Sequence, residues 1–304
     1  METRAVKGNQ VRSNWRQAAP WVLPAVVVLF VITILPTLFL FYTSLHHWEL
    51  GYPWEAREFA GLVNFVDLWS DRQFLQSLRT TAIYVVSTVG VELILGFALA
   101  LFLSQRRLWG KGVLVATLVI PMTVTPSIAG LIWRLYFNPN YGMVNYFMGT
   151  LAGVEPNWYG ADLALASVVL VDIWQWTPFV ALILLAGLSA LPRTPYEAAL
   201  VDGASGWATL RYITLPLLRP IILVALILRS MDSLKMFDVV FSLTGGGPGN
   251  ATEVLSMQVY RTGFYQTGWV GYASAMAMIL LVVIILVSQL FVRVLGSRRE
   301  VEGV

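Results

Sequence analysis

The amino-acid sequence predicts an all-α integral membrane protein with six membrane-spanning helices. Of its 304 residues, 57% are hydrophobic and 12% are charged, whereas a soluble domain carries about 25% charged residues to cover its surface. No stretch shows the polar–apolar alternation of a membrane barrel strand, and in lipid only helices and closed barrels satisfy every backbone hydrogen bond. We therefore expect lipid as the solvent and the helix as the main element.

Six stretches contain enough apolar residues to cross a hydrocarbon layer about 30 Å thick, which takes about 20 residues of helix. They are residues 21–45, 81–105, 112–137, 163–190, 217–243 and 270–295. The first follows a basic stretch, but its apolar run is too long for a secretory signal and no small-residue cleavage site follows it. We expect it to be retained as a span.

The basic residues indicate the orientation, because Lys and Arg are enriched in cytoplasmic loops. Thirteen of the twenty lie before span one, between spans two and three, around the loop after span four, and at the end of the chain: Arg4, Lys7, Arg12, Arg16, Arg106, Arg107, Lys111, Arg193, Arg211, Arg219, Arg293, Arg298 and Arg299. With an even number of spans, the sequence predicts a cytoplasmic segment at 1–20, a transmembrane domain at 21–295 and a cytoplasmic tail at 296–304.

Residue usage limits the chemistry that the chain can perform. It has no cysteine, and its two histidines, His46 and His47, are adjacent and would face different directions on a helix. A metal pair stays possible, but a polar or interfacial role is favoured, and an intramembrane enzyme would lack a nucleophile–base set. The glycine run 245–249 lacks the Lys-Ser/Thr of a phosphate loop, so we interpret it as an external turn. We expect no metal, no nucleotide site and no nucleic-acid partner.

The loop between spans four and five, residues 193–217, contains the start of a short helix. Thr194 suits the cap position and Pro195 the first turn. Glu197 follows Thr194 by three residues, which completes a capping box.

A second short helix is predicted in the same loop. Gly203 suits a left-handed stop after the first helix. Ser205 can cap the next one, which Pro216 would end. From these patterns alone, the loop is either a packed connector or a docking element on the cytoplasmic face.

A motif in this loop favours docking. It comprises Glu197-Ala198-Ala199, Asp202-Gly203-Ala204, Ile213 and Leu215-Pro216. The motif resembles the EAA loop of permease subunits of bacterial ABC importers. The resemblance implies that the first short helix is a coupling helix, which inserts into a cleft of a separate cytoplasmic ATPase. Glu197 would be its polar contact, while Ala198 and Ala199 would allow close approach.

A finer resemblance covers about residues 20–295 and indicates the carbohydrate-uptake, MalF-like branch of that family. It is carried by Ile120-Pro121, by the segment from Asp172 to Phe179, by Phe237-Asp238, and by the segment from Leu243 to Pro248. The external segment 46–80 is short and lacks the large inserted domain of the maltose permease.

This resemblance implies a type I ABC importer permease in the bacterial inner membrane, forming half of a sugar path. The implied partners are a second homologous permease, two ATPase subunits, an extracytoplasmic solute-binding protein and a sugar or sugar derivative. ATP and Mg²⁺ would be bound by the ATPases, so this chain would hold no cofactor and would not be catalytic.

Span five carries charged residues at intervals of three: Arg229, Asp232, Lys235 and Asp238. Residues at this spacing share one face of a helix, and ionisable groups inside a membrane usually face a cavity or a partner. The series is either a self-neutralising ladder or a polar wall for a hydroxyl-rich solute.

Two tryptophans of span four, Trp174 and Trp176, fit such a wall because sugar rings present apolar faces to indoles, although tryptophans are also common interfacial anchors. The resemblance implies solute contacts at Trp174, Gln175, Trp176, Phe179, Leu228, Met231, Asp232 and Lys235. Polar amides of the maltose permease are replaced here by Asp232 and Lys235, so we expect a ligand other than maltose. Lys235 would either accept an anionic solute or neutralise Asp232. An ion-coupled secondary transporter, in which these two residues titrate, is the alternative.

Overall fold

The structure is a computed structural model that describes residues 15–105 and 108–295 of the chain. Its elements, in chain order, are α1 (Trp15–Ser44), β1 (His46–His47), β2 (Glu58–Phe59), α2 (Val63–Leu68), α3 (Arg72–Ser104), α4 (Lys111–Thr123), α5 (Pro126–Tyr136), α6 (Met143–Ala152), α7 (Ala164–Ala190), α8 (Thr194–Val201), α9 (Gly206–Thr209), α10 (Leu215–Leu234), α11 (Asp238–Leu243), α12 (Leu255–Tyr260) and α13 (Val270–Leu295). The tail 296–304, residues 1–14 of the predicted N-terminal segment, and the basic residues Arg4, Lys7, Arg12, Arg106, Arg107, Arg298 and Arg299 lie outside the described residues.

Among the residues that the structure describes, five helices are long and apolar enough to cross a membrane, and the bent pair α4–α5 makes a sixth crossing if it counts as one span. The predicted spans 21–45, 163–190 and 270–295 agree closely with α1, α7 and α13. The predicted helical membrane fold is thus confirmed, with one short two-stranded sheet, β1–β2, outside the helices.

Span two begins at Arg72 rather than at residue 81. The carboxylate of Asp71 caps α3 by accepting hydrogen bonds from the backbone N–H groups of Gln73 and Phe74. This cap starts the helix before the apolar run does, because capping satisfies backbone donors that have no helical partner.

The predicted span at 112–137 is sharply broken rather than straight. Helices α4 and α5 meet at an angle of 95°. Thr125, which precedes Pro126, has ψ 142°, as expected where a proline ring disfavours the helical conformation of the preceding residue. Pro126 then opens α5, where a missing backbone N–H costs nothing.

The fifth span differs from its prediction at both ends. It ends at Leu234, and α11 is a separate short helix. At the other end the helix runs without a break from Gly206 to Leu234, so Pro216 does not end a short helix as predicted. A π turn at Leu210–Thr214, in which the N–H of Leu215 donates to the carbonyl of Leu210, widens the helix beside the proline.

Small residues let the central helices approach closely, as is typical of membrane proteins. A Cβ added to Gly96 of α3 would lie 2.7 Å from Cγ1 of Val180 on α7. A Cβ added to Gly187 of α7 would lie 2.9 Å from Cδ1 of Leu218 on α10. Helix α7 is therefore packed between α3 and α10.

We expect Gly96→Val to destabilise the protein by roughly 1–3 kcal/mol, the usual cost of overpacking, because the new side chain would overlap Val180. Gly90→Val is the matched control, since Gly90 lies on the same helix and has no atom within 4 Å of its added Cβ. The measurement is the midpoint of thermal unfolding of the detergent-solubilised chain. Equal midpoints for the two variants would contradict the packing.

Candidate functional site

A buried guanidinium joins α3, α7 and α10 at the centre of the bundle. The side chain of Arg229, on α10, is only 1% exposed. Its Nε donates to Oε2 of Glu92 at 2.7 Å, and its Nη2 donates to Oε1 of the same carboxylate at 2.9 Å. Nη2 also donates to Oδ2 of Asp172 at 2.9 Å, and Nη1 donates to Oδ2 of Asp232 at 2.9 Å. We call these four residues the Arg229 cluster.

The cluster has one cation and three carboxyl groups. Glu92 and Asp172 are fully buried, whereas the side chain of Asp232 is 50% exposed. A buried arginine needs such partners because leaving one charge of a buried pair uncompensated typically costs about 3–5 kcal/mol. The bidentate contact with Glu92 also fixes the orientation of the guanidinium plane. The arrangement therefore holds Asp232 in one position, with part of its carboxylate accessible.

The predicted ladder along span five forms only in its first step. Arg229 does pair with Asp232, but Lys235 is the C-cap of α10 and forms no ion pair among the described residues. Asp238 lies beyond the helix, where its carboxylate accepts a hydrogen bond from Ser127 at 3.2 Å. The main partners of Arg229 come instead from two other helices.

Sequence reasoning missed Glu92 and Asp172 as these partners. Each is an acidic residue within an apolar span, and such a residue usually pairs with an opposite charge. This rule identifies both as candidates for Arg229, although it gives no information on which helices are neighbours.

The predicted solute residues of α7 point in two directions. The ring of Trp176 lies 5.0 Å from Cζ of Arg229, and Phe179 contacts Trp176 edge-on with ring centroids 6.0 Å apart. Trp174 packs instead on Trp133, at 5.5 Å. Gln175 is buried and donates to the carbonyl of Val124 at 2.6 Å. Trp176 therefore contacts the Arg229 cluster, and Phe179 packs against Trp176.

The predicted solute residues of α10 share one accessible face. Leu228, Asp232 and Lys235 are exposed and Met231 is half-buried, as the spacing of three and four residues requires. A carboxylate, a cationic side chain and apolar groups thus line a single strip beside Trp176.

The loop that follows α7 presents the predicted coupling residues. Helix α8 carries Glu197 and Ala198 on its exposed side and Ala199 on its buried side. Of the remaining residues of the motif, Ile213 is half-buried, and Asp202, Gly203, Ala204, Leu215 and Pro216 are exposed. The hydroxyl of Tyr196 donates to Oγ1 of Thr214 at 3.1 Å, which attaches α8 to the π turn.

The predictions for Pro195, Gly203 and Ser205 in this loop are confirmed, since Pro195 lies in the first turn of α8. Gly203 has φ 70°, and Oγ of Ser205 accepts a hydrogen bond from the N–H of Ala208 at 3.2 Å. The predicted capping box is wrong, because the N-cap is Arg193 in a helical conformation with no side-chain cap. Thr194 is already the first helical residue, so its side chain is not placed as a cap.

The glycine run 245–249 forms a turn, with positive φ at three of its glycines. Through Pro248, it borders a cleft of about 740 Å³ that Arg134 lines from another part of the chain. Arg261 donates to the carbonyl of Gly245 and, at 2.7 Å, to Glu253. Burial raises the pKa of the Glu253 carboxyl, and the charge of Arg261 opposes this shift.

Comparison with known proteins shows what this architecture resembles. Residues 92–301 match the family described as binding-protein-dependent transport system inner membrane component. The chain is 40% identical to the trehalose/maltose transport system permease protein MalF of Thermococcus litoralis, over 92% of this chain and 93% of that protein.

Two further relatives are similar over most of their length. The sulfoquinovosyl glycerol transport system permease protein SmoG of Agrobacterium fabrum is 35% identical, over 90% of this chain and 89% of its own. The trehalose transport system permease protein SugA of Mycobacterium tuberculosis is 32% identical, over 93% of this chain and 89% of that protein.

Among solved structures, a bacterial alginate ABC transporter in complex with alginate pentasaccharide-bound periplasmic protein has a chain with TM-score 0.77 at 20% identity, covering 92% of this chain and 96% of that one. That match supports the fold.

We expect Arg229→Met to destabilise the chain by about 3–5 kcal/mol, because it leaves two buried carboxyl groups without their cation. Glu92→Gln should cost less, since Arg229 keeps Asp172 and Asp232. Arg79→Met is the matched control, because Arg79 is an exposed arginine on α3. Thermal unfolding midpoints in detergent measure all three. If the unfolding midpoint of Arg229→Met were as high as that of Arg79→Met, the cluster would not stabilise the fold as proposed.

Proposed function

The chain belongs to the family of binding-protein-dependent transport system inner membrane components, and we propose that it conducts a sugar through the membrane as one permease subunit of an ATP-driven importer. The names of the relatives support a carbohydrate solute, since they mention trehalose, maltose and sulfoquinovosyl glycerol. The observation that carries the proposal is the half-exposed carboxylate of Asp232, held rigidly by Arg229 beside Trp176.

This surface has the chemistry that a sugar requires. The free part of the Asp232 carboxylate accepts hydrogen bonds from hydroxyl groups, and the rings of Trp176 and Phe179 offer apolar faces. Leu228, Met231 and Lys235 extend the same strip. In the proposal, these residues form this subunit's half of the solute path.

Trp174 and Gln175 also belong to the proposed solute residues, but they are engaged inside the chain in this structure. Their packing on Trp133 and their hydrogen bond to Val124 involve α5 and the break before it. A solute contact therefore requires α7 to move relative to the bent pair α4–α5, as a change between two access states would allow.

The second part of the proposal concerns energy coupling. Helix α8 presents Glu197 and Ala198 to a separate ATPase, which binds ATP and Mg²⁺ while this chain remains non-catalytic. Two ATPase subunits require two coupling helices, so a second homologous permease completes the complex. An extracytoplasmic solute-binding protein delivers the sugar on the opposite side, near the turn at 245–249.

This arrangement requires both termini to be cytoplasmic in an inner membrane. Among the described residues, Lys111, Arg193, Arg211, Arg219 and Arg293 lie in or beside the segments predicted to be cytoplasmic: the start of α4, the segment from α8 to the first part of α10, and the end of α13. Their enrichment on one side supports the orientation. The ion-coupled secondary transporter gains no support from the comparisons, since the relatives named above are permease proteins of the same family.

We expect Glu197→Lys to leave the protein inserted and folded but to abolish sugar uptake, because a reversed charge on the exposed side of α8 would repel its contact in the ATPase. Glu58→Lys, at an exposed strand on the opposite side, is the control. Uptake by membrane vesicles and co-purification of the ATPase measure the effect. Normal sugar uptake by the Glu197→Lys variant would contradict the proposed coupling role of Glu197.

For the solute path, we expect the complete complex with its binding protein to show ATPase activity that a sugar stimulates. Asp232→Asn should weaken that stimulation about tenfold, in line with the loss of a charge-assisted hydrogen bond of about 1.5–3 kcal/mol. Asp162→Asn, an exposed aspartate in the loop before α7, should leave it unchanged. Neutral and anionic sugars are compared to find the role of Lys235. Stimulation by neither class would refute the sugar assignment.

A further inference from the structure

A cavity of about 400 Å³ lies between the end of α1 and the start of α13. It shares no residue with the Arg229 cluster. Three aromatic side chains, Trp48, Trp269 and Tyr272, and two acidic ones, Glu49 and Asp67, line it. The proposed transport mechanism uses none of them.

Backbone hydrogen bonds hold the two sides of this cavity together. The N–H of Leu50 donates to the carbonyl of Gly268 at 2.7 Å, and the N–H of Gly271 donates to the carbonyl of Trp48 at 3.1 Å. These bonds attach the external segment to the first turn of α13. The aromatic walls are thus fixed relative to one another, as preorganised binding sites require.

The two acidic side chains have no basic partner. Glu49 and Asp67 are exposed, and neither forms a side-chain hydrogen bond or salt bridge within residues 15–105 and 108–295. The external segment 46–80 contains three arginines, Arg57, Arg72 and Arg79, and none of them lines the cavity; Arg57 lies over the ring of Trp54 at 4.1 Å. The cavity therefore has an excess of negative charge.

Most of the donors in the wall are already used. Both N–H groups of the Asn64 amide are occupied, by the carbonyls of Ser44 and His46. The indole of Trp48 donates to the carbonyl of Tyr52 at 3.3 Å, and the hydroxyl of Tyr272 donates to Asp71.

The ring of His47 and the indole of Trp269 remain as donors. The cavity thus offers a ligand mainly carboxylate acceptors and aromatic faces. Sugar hydroxyls both donate and accept hydrogen bonds, whereas a cation needs only acceptors and ring faces. Aromatic walls combined with negative charge are the established way to bind ammonium groups.

The position of the cavity indicates the source of that cation. Helix α1 exposes apolar side chains along most of its length, so it faces lipid, and the lining of the cavity begins at His47, three residues after the end of α1. Tryptophan and tyrosine at such a boundary are typical of the headgroup region. We propose that this cavity binds the ammonium group of a zwitterionic lipid headgroup, such as that of phosphatidylethanolamine.

The test compares phosphatidylethanolamine with phosphatidylglycerol of the same acyl chains, bound to the purified full chain and counted by native mass spectrometry. The double variant Glu49→Gln/Asp67→Asn should lower the preference for phosphatidylethanolamine about fivefold, as expected for two partly exposed ion pairs. The control Glu55→Gln/Asp162→Asn removes two exposed acids elsewhere and should retain the preference.

A competition on the unmodified chain tests the chemistry even if the double variant does not fold. Millimolar tetramethylammonium should displace phosphatidylethanolamine, and trehalose should not. Equal retention of both lipids, displacement by trehalose, or an unchanged preference in a folded double variant would overturn the proposal. If free ethanolamine binds as tightly as the lipid, the ligand is a soluble amine and the lipid assignment is wrong.

Discussion

The guanidinium of Arg229 must keep its carboxylate partners, because an uncompensated charge buried in the centre of a helical bundle is costly. This requirement fixes the rotation of α10 about its axis and its position relative to α3 and α7. The close approaches at Gly96 and Gly187 bring the three helices near enough for the contacts to form. Apolar packing alone would tolerate several rotations of α10, whereas the bidentate contact with Glu92 tolerates one.

In the proposed function, the same constraint also positions a solute contact. Asp232 belongs to the cluster but has half of its side chain exposed, so an otherwise structural ion network ends in a group that can meet a solute. Rigid placement matters for recognition, because a pre-ordered carboxylate loses less entropy when a ligand binds. The aromatic ring of Trp176 covers the guanidinium and separates the buried part of the network from the open strip.

Much of this arrangement was predictable from the sequence. Apolar length identified the spans, and the glycine and serine of the coupling loop behaved as local chemistry requires. Three features were not predictable in this way. The angle between α4 and α5 depends on packing as well as on Pro126. The path of the helix through Pro216 depends on a π turn. The pairing of Arg229 with Glu92 and Asp172 depends on which helices become neighbours. Windows of hydropathy contain no information on tertiary contacts.

The uninterrupted helix from Gly206 to Leu234 has a mechanical consequence. Its 29 residues span about 43 Å at 1.5 Å per residue; one end lies in the loop with the predicted coupling residues, and the other carries Arg229 and Asp232. The π turn at Leu210–Thr214 and the nearby prolines Pro216 and Pro220 are the points at which such a helix can bend. In the proposed function, a displacement beside Ser205 therefore reaches the predicted solute residues through one continuous helix, with bending confined to the stretch between the π turn and Pro220.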